Sequence, residues 1–509
     1  MAEAEWRHRL ENGEYNLKIA GIHQFNPDAF AANTIDGDVN TRGMVGSTGR
    51  FEINPRWTFG WNVLVQSDKN FARTYGIDGF SDEIQTNEVY LTGLDGRSFF
   101  DARVLDYNVQ QSTRNANDER QSAVLPSLDY ERTYANVGGG ELALTMNSRN
   151  NLRQQTDQRG DLTSTNFATR GADGFNGRTS VAVEWERTFV TAGGLLITPI
   201  AAAQGDAFYR DPAGNGTLSA TGAAFGDDET FFRGMVTAGL ELRWPILFST
   251  TSATHIVEPI AQIFARPDEA GAGRLPNEDA QSFVFDASNL FERDKFTGFD
   301  RVEGGTRANL GLRYTGTLDN GVTLHGVFGQ SYHLAGTNPY NEPDFVNVGA
   351  NSGLETDVSD FVGSFAVRAP NGFSARVGGR FDEKDFSLER LEAGIGYEHE
   401  RFSASLEYAR QEAQPIYAFD RLREELTVAG SFGLDDHWRL AGTATYDLAT
   451  DRLDQHAIGL QYDCDCFTLG LVYSQDRDRN DKLSNNFSLN FSFRTLGDGA
   501  IDFDDGLNF

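Results

Sequence analysis

Apolar and polar residues alternate along most of this chain. In Trp57–Gln66, Trp57, Phe59, Trp61, Val63 and Val65 take one face, and Thr58, Asn62 and Gln66 the other. Trp438, Leu440, Ala444 and Tyr446 oppose Arg439, Thr443, Thr445 and Asp447 in the same way. The pattern returns in Phe467–Tyr473 and in Phe487–Arg494, where Phe487, Leu489, Phe491 and Phe493 oppose Ser488, Asn490, Ser492 and Arg494. A period of two is the signature of a strand. Such segments number about 23, most of about ten residues, the length that crosses a bilayer when tilted.

The connections sort by length. Short turns such as Glu11–Gly13, Asn54–Arg56, Asp319–Gly321 and Leu434–Asp436 alternate with long loops such as Phe25–Asn40, Asp68–Glu83, Gln154–Asn176, Pro267–Gly305 and Gly336–Glu355. Short turns on one side and long loops on the other predict an outer-membrane β-barrel, all-β and antiparallel. On this reading residues 1–509 are one barrel domain. The first strand, Ala2–Leu10, starts outside, and the last, within Asn486–Leu496, runs toward the periplasm. An odd count of that kind predicts an odd number of strands missing before Met1, because single-chain barrels normally hold an even number.

One connection is too long and too aromatic to be a simple link. Leu275–Glu303 carries Phe283, Phe285, Leu290, Phe291, Phe296 and Phe299, which need a dry place. Its polar residues Asn277, Glu278, Asp279, Asp286, Asn289, Asp300 and Arg301 need partners. Loops of this length are functional or disordered, and aromatic content argues against disorder. The expectation is a loop folded back into a large cavity. Pro259, inside an apolar strand, removes a ladder donor and predicts a bulge.

Composition narrows the reading. No run of about 18 apolar residues exists, so the sequence offers no membrane-spanning helix. Mean hydropathy is −0.45, which alone would indicate a soluble protein. A membrane barrel averages lipid-facing and lumen-facing residues to such a value, so it decides nothing. With 74 acidic against 44 basic residues, nucleic acid is excluded as a partner. The opening MAEAEWRHRL lacks the apolar stretch of a signal peptide. An exported chain needs one, so the expectation is a mature or N-terminally incomplete sequence.

No catalytic constellation stands out, and the chain reads as a non-enzyme without a cofactor. The eight His are scattered, and Cys464 and Cys466 have no nearby His at zinc-ligand spacing, which argues against a metal. Nucleophile elbow, P-loop and dinucleotide fingerprints are missing. The two cysteines sit at a short, hence periplasmic, turn. An internal bridge between them is strained, and idle thiols are exposed to an oxidising compartment.

Several segments resemble the LptD family of outer-membrane lipopolysaccharide-assembly proteins: Glu258–Gln262, the long PNED…FVFDASNLF…FTGFDRVEGGTR stretch, Gly459–Tyr462 leading into the cysteine turn, and the closing Asn486–Leu496 strand. The resemblance implies a 26-stranded barrel of which about 23 strands are present. It also implies a periplasmic jellyroll domain, to which nothing in this sequence corresponds. It further implies a lipoprotein plug like LptE inside the barrel and a periplasmic lipopolysaccharide-transport bridge acting through the jellyroll. The barrel-assembly machinery would insert the chain, and lipopolysaccharide would be the cargo. By the same resemblance Cys464 and Cys466 would bond to cysteines of the absent domain, although here the spacing is Cys-x-Cys. Phe487, Leu489, Phe491 and Phe493 would serve as sorting signal and as one side of a lateral gate, and the Leu275–Glu303 loop would help close the outer mouth. A passive porin or plug-gated receptor, an outer-membrane enzyme and a soluble β-protein are the competing readings.

Overall fold

The computed structural model describes residues 1–30, 34–113, 117–160, 167–213, 218–220, 223–225, 230–281, 283–477, 483–493 and 497–503. The alternating segments become 26 strands of one antiparallel sheet. Each strand pairs with its neighbours along the sequence, as in an up-and-down barrel wall. Two of the 26, Phe189–Val190 and Ile246–Ser249, continue the strands before them, so the sheet makes 24 crossings.

Proline causes both breaks. Glu186 pairs with Ile200 and Phe189 with Ile197, while Arg243 pairs with Ile260 and Ile246 with Val257, each time in unchanged register. The first gap faces Pro199, and the second brings Trp244 and Pro245 opposite Pro259 and Glu258. A proline has no N–H to give the ladder. No bulge therefore forms at Pro259; the ladder lapses and resumes. Across the break the Trp244 amide still donates to the Pro259 carbonyl at 3.1 Å.

The strand count also differs from the expectation. The Leu483–Phe493 strand is followed by Gly497–Phe503, which pairs with it antiparallel from Phe493↔Gly497 to Phe487↔Phe503. Among the described residues this added crossing brings the count to 24. Glycine-rich and short, Gly497–Phe503 lacks the clean alternation by which the others are recognised. Its ladder and that of Ala2–Leu10 end the sheet, and among the described residues no ladder joins the two.

The wall has apolar residues outside and charges inside. Val428, Ile395 and Phe232 are 49%, 51% and 74% exposed, while Arg42, Arg233 and Arg307 are 1%, 2% and 1% exposed. A water-soluble fold would reverse this, whereas a barrel in lipid requires it. Val428 lies near the middle of the Arg423–Gly433 strand and pairs with Leu406 and Ala444. Replacing Val428 with Arg should destabilise the folded protein in lipid vesicles by about 2–4 kcal/mol. Denaturant titration in vesicles would measure it, and an unchanged midpoint would mean that this face does not meet lipid.

Long loops fold over the inner wall in separate apolar clusters. Phe71, Ala72, Ile77 and Phe80 of the 67–83 loop pack on inward-facing Ala20, Met44 and Leu64. Leu275 packs with Ala172, Phe208 and Phe345. The third cluster joins the 266–305 and 336–360 connections: Ala280, Phe285, Leu290 and Phe296 meet Tyr340, Val346, Val348 and Leu354 above Val362 of the wall. From Phe402 to Phe493 the inner wall carries no such apolar cluster among the described residues.

Candidate functional site

The Leu275–Glu303 stretch contains no strand among its described residues and folds inside the wall by a repeated device: a wall arginine clamps a loop carboxylate. Arg153 is 2.8 Å from Glu278, whose other oxygen accepts from Asn151 at 3.0 Å. Arg178 holds both Asp279, at 2.8 Å, and Asp300, while its guanidinium lies over the Phe299 ring. Arg233 donates to Asp206 of its own wall at 2.7 Å, to Glu269 at 2.9 Å and to the Asp300 carbonyl at 2.9 Å. Alternation places these arginines. Arg153 and Arg178 occupy inward positions of two paired strands, and Arg233 one of the strand beyond Leu196–Asp211, where an unpaired charge would be expensive.

Within the loop, Arg301 repeats the device. It is 3.1 Å from Glu269 and 2.6 Å from Asp344, donates to the Pro339 carbonyl at 2.9 Å, and stacks on Phe296 at 4.7 Å. Glu303, 0% exposed, binds Arg307 at 2.6 Å and Lys295 at 3.9 Å. Lys295 also donates to Asn309 at 3.2 Å. Tyr340 lies over this cluster, 5.2 Å from the Arg307 guanidinium and 4.7 Å from the Phe296 ring.

Burial sets the proton affinities. It pushes Asp300 up to about 7 against the pull of Arg178, with neighbouring Asp279 adding to the rise. Asp279 is buried too, yet the same guanidinium and the backbone N–H groups of Asp300 and Phe299 hold it below the usual carboxylate range. Burial and the nearby Glu303 charge raise Asp294 to about 6, and burial lowers Lys295 to about 8. These groups serve to hold the fold. Paired in this way, the charges of wall and loop pin the loop against the inner wall.

The other sequence-derived residues fall in three groups. Asn277, Asp286 and Asn289 make turns: Asn277 caps the Ala280 amide at 2.9 Å, Asp286 accepts from the Ser288 amide at 2.7 Å, and Asn289 accepts from the Asp286 amide at 3.0 Å. Cys464 and Cys466 are free thiols with sulfurs 2.7 Å apart, and this sequence holds no other cysteine with which the expected bonds could form. Phe487 points outward and is 57% exposed, with Leu489 and Phe491 partly covered on the same face; the Phe493 side chain lies outside the described residues.

Sequence reasoning missed the wall's half of the network and a latch across the outer mouth. Arg153, Arg178, Arg233 and Arg307 were legible as inward positions, but alternation does not reveal which loop they meet. Arg159, in the 154–173 connection, donates to the Ile416 carbonyl at 2.9 Å and lies over the Tyr417 ring. The Tyr417 hydroxyl donates to the Asn347 carbonyl at 2.6 Å, with the Ala350 carbonyl at 3.0 Å. Ten crossings of the sheet separate the two loops, so they meet from nearly opposite walls. Asp360, Asp382 and Glu383 bring oxygens within 4.8 Å of one another; Arg380 Nε lies 3.1 Å from Asp360, which supplies the positive charge there.

A family model described as LPS transport system D, LptD, matches residues 40–438. The LPS-assembly protein LptD of Burkholderia lata is 25% identical over 205 residues, which is 38% of this chain and 24% of that protein. Its namesake from Hahella chejuensis is 23% identical over 238 residues, 45% of this chain and 28% of that protein. The match thus spans about a quarter of the relatives' own length. Among solved structures, a mutant ferric enterobactin receptor from Pseudomonas aeruginosa is 11% identical with a TM-score of 0.42, covering 97% of this chain and 74% of that one.

Proposed function

The chain belongs to the LptD family, and from that premise we propose that it assembles lipopolysaccharide at the cell surface. It is an outer-membrane β-barrel, and the observation that carries the functional reading is the family match across residues 40–438. Depleting the protein in its native host should stop newly made lipopolysaccharide from reaching the surface, and a plasmid copy should restore it. Unchanged surface lipopolysaccharide after depletion would overturn the reading.

In this reading the Leu275–Glu303 loop seals part of the lumen and takes no part in chemistry. The part walled by the six strands from Phe402 to Phe493, which bears no apolar loop cluster among the described residues, suits a separate plug such as an LptE-like lipoprotein. Lipid would leave along the edges where the sheet ends, since an unpaired edge separates at less cost than a full ladder. Cys464 and Cys466, at the short-turn rim, would tie the barrel to a periplasmic domain that receives cargo from the transport bridge. Phe487, Leu489, Phe491 and Phe493 would be read by the barrel-assembly machinery.

The latch gives this reading a second handle. Combining Arg159→Ala with Tyr417→Phe removes the cross-mouth hydrogen bonds without touching the wall. Conductance of the protein purified together with its plug should rise in planar bilayers above that of the unaltered complex. A passive channel of the porin class would conduct steadily before any substitution, and the pair of changes would make little difference.

A further inference from the structure

Below the tip of the same loop, at residues 286–288, the wall opens into a cavity of about 480 Å³, within the range of small-molecule sites, roughly 300–1,000 Å³. Its floor is nearly bare: Ser364 pairs with Gly378 on the inward face, so a ligand can approach the backbone closely. Arg313, His325, Arg376 and Arg390 line it, all on the inward register shared with buried Arg307 and Asn309. Asp286 and Glu392 line it too, and with Arg380 the four arginines outnumber them, which in a chain of net charge −30 is a local excess of positive charge.

Their partners can be exchanged. Arg313 stands 3.7 Å from Glu258, Arg376 is 2.8 Å from Glu407, and Arg390 pairs with Glu392 two residues along. The Arg376 side chain is 68% exposed, and such solvated pairs bind weakly. An incoming anion can therefore take the guanidinium while the displaced carboxylate turns to water. Arginine offers phosphate or carboxylate two parallel N–H donors, which fixes orientation as well as charge.

We propose that this bay binds the anionic part, phosphate or carboxylate, of a saccharide; the proposal rests on the lipopolysaccharide reading. The loop tip roofs the bay, which favours a compact sugar over an acidic stretch of protein.

The test uses the full chain in detergent micelles and isothermal titration with glucose 6-phosphate, glucuronate, inorganic phosphate, glucose and a hexa-aspartate peptide. Both acidic sugars should bind, inorganic phosphate should bind more weakly, and glucose should not bind. Arg376→Gln with Arg390→Gln should weaken the sugars by about tenfold or more. Arg401→Gln, at the short-turn rim beside Asp436, should leave them unchanged, and heat-modified migration in gels should report all variants folded. No binding of either sugar, equal binding by the double variant, inorganic phosphate matching the sugars, or tighter binding of the peptide would each overturn the proposal. Depletion in the host reports separately on the lipopolysaccharide-assembly reading, because a chain that binds the sugars yet is dispensable for surface lipopolysaccharide would sink that reading and spare the bay.

Discussion

Replacing Arg301 with Met should destabilise the folded loop by about 3–5 kcal/mol. The guanidinium lies among Glu269, Asp344 and the Pro339 carbonyl and is 2% exposed. Without it, Glu269 keeps Arg233 at 2.9 Å and the Val302 amide at 3.2 Å. Asp344 keeps only neutral donors, the Val346 and Val348 amides at 3.1 Å each and Asn277 at 3.4 Å. A buried carboxylate without a counter-charge is the costly product. Adding Asp344→Asn should recover much of the loss, because the uncompensated charge disappears. The companion change Arg293→Ala removes an ion pair with Glu184 and Glu186 that is about one-third exposed, and solvent screening should hold its effect to about 1 kcal/mol or less. Hydrogen exchange of the amides from 277 to 303 would measure all three. Equal protection after Arg301→Met and Arg293→Ala would mean that the buried network does not hold the loop.

The sequence showed the wall more clearly than its contents, for a physical reason. A lipid-facing strand must alternate, and it must end at a turn rich in Gly, Asn and Asp, so each crossing is written locally. Asp279 and Asp300 could be marked as polar residues in need of partners, yet their partner Arg178 stands about a hundred residues away on a strand whose own pattern is satisfied without them. The Tyr417 latch left no local trace at all. Its loop is short, and its meaning comes from curvature that brings opposite walls together. Gly497–Phe503 was missed because glycine and aspartate occupy the positions at which alternation would have been read. Pro259 was read correctly as a lost donor but wrongly as a bulge. Trp244 and Pro245 stand opposite it, and a gap of equal length on both strands leaves the register intact.

The same asymmetry organises the function proposed for the chain. Strand pairing holds the wall, and lipid can refill any space left on its outer face. The loop in the lumen depends on packed side chains and on charges that only a few wall positions neutralise. Loop and wall should therefore respond differently to damage, and that difference can be measured.

Phe285→Ala is the sharpest way to see it. The ring is 0% exposed and belongs to the cluster that joins the two long connections above Val362. Truncating a buried Phe to Ala costs about 3–5 kcal/mol, part of it from the cavity that rigid surroundings leave behind. Here the surroundings are Tyr340, Leu354 and the backbone of a pinned loop, which have little freedom to collapse. Phe328→Ala removes the same atoms from the outer face, where the ring is 47% exposed, and acyl chains can close the gap. Loop amides should exchange faster by a factor of about a hundred or more in the Phe285 variant, since each 1.4 kcal/mol is a factor of ten, while amides of the Arg423–Gly433 strand should be unchanged. Phe328→Ala should leave loop exchange as it was. If Phe285→Ala instead lowers protection across the wall strands, loop and barrel form one cooperative unit, and a seal that opens while the wall stays folded becomes untenable.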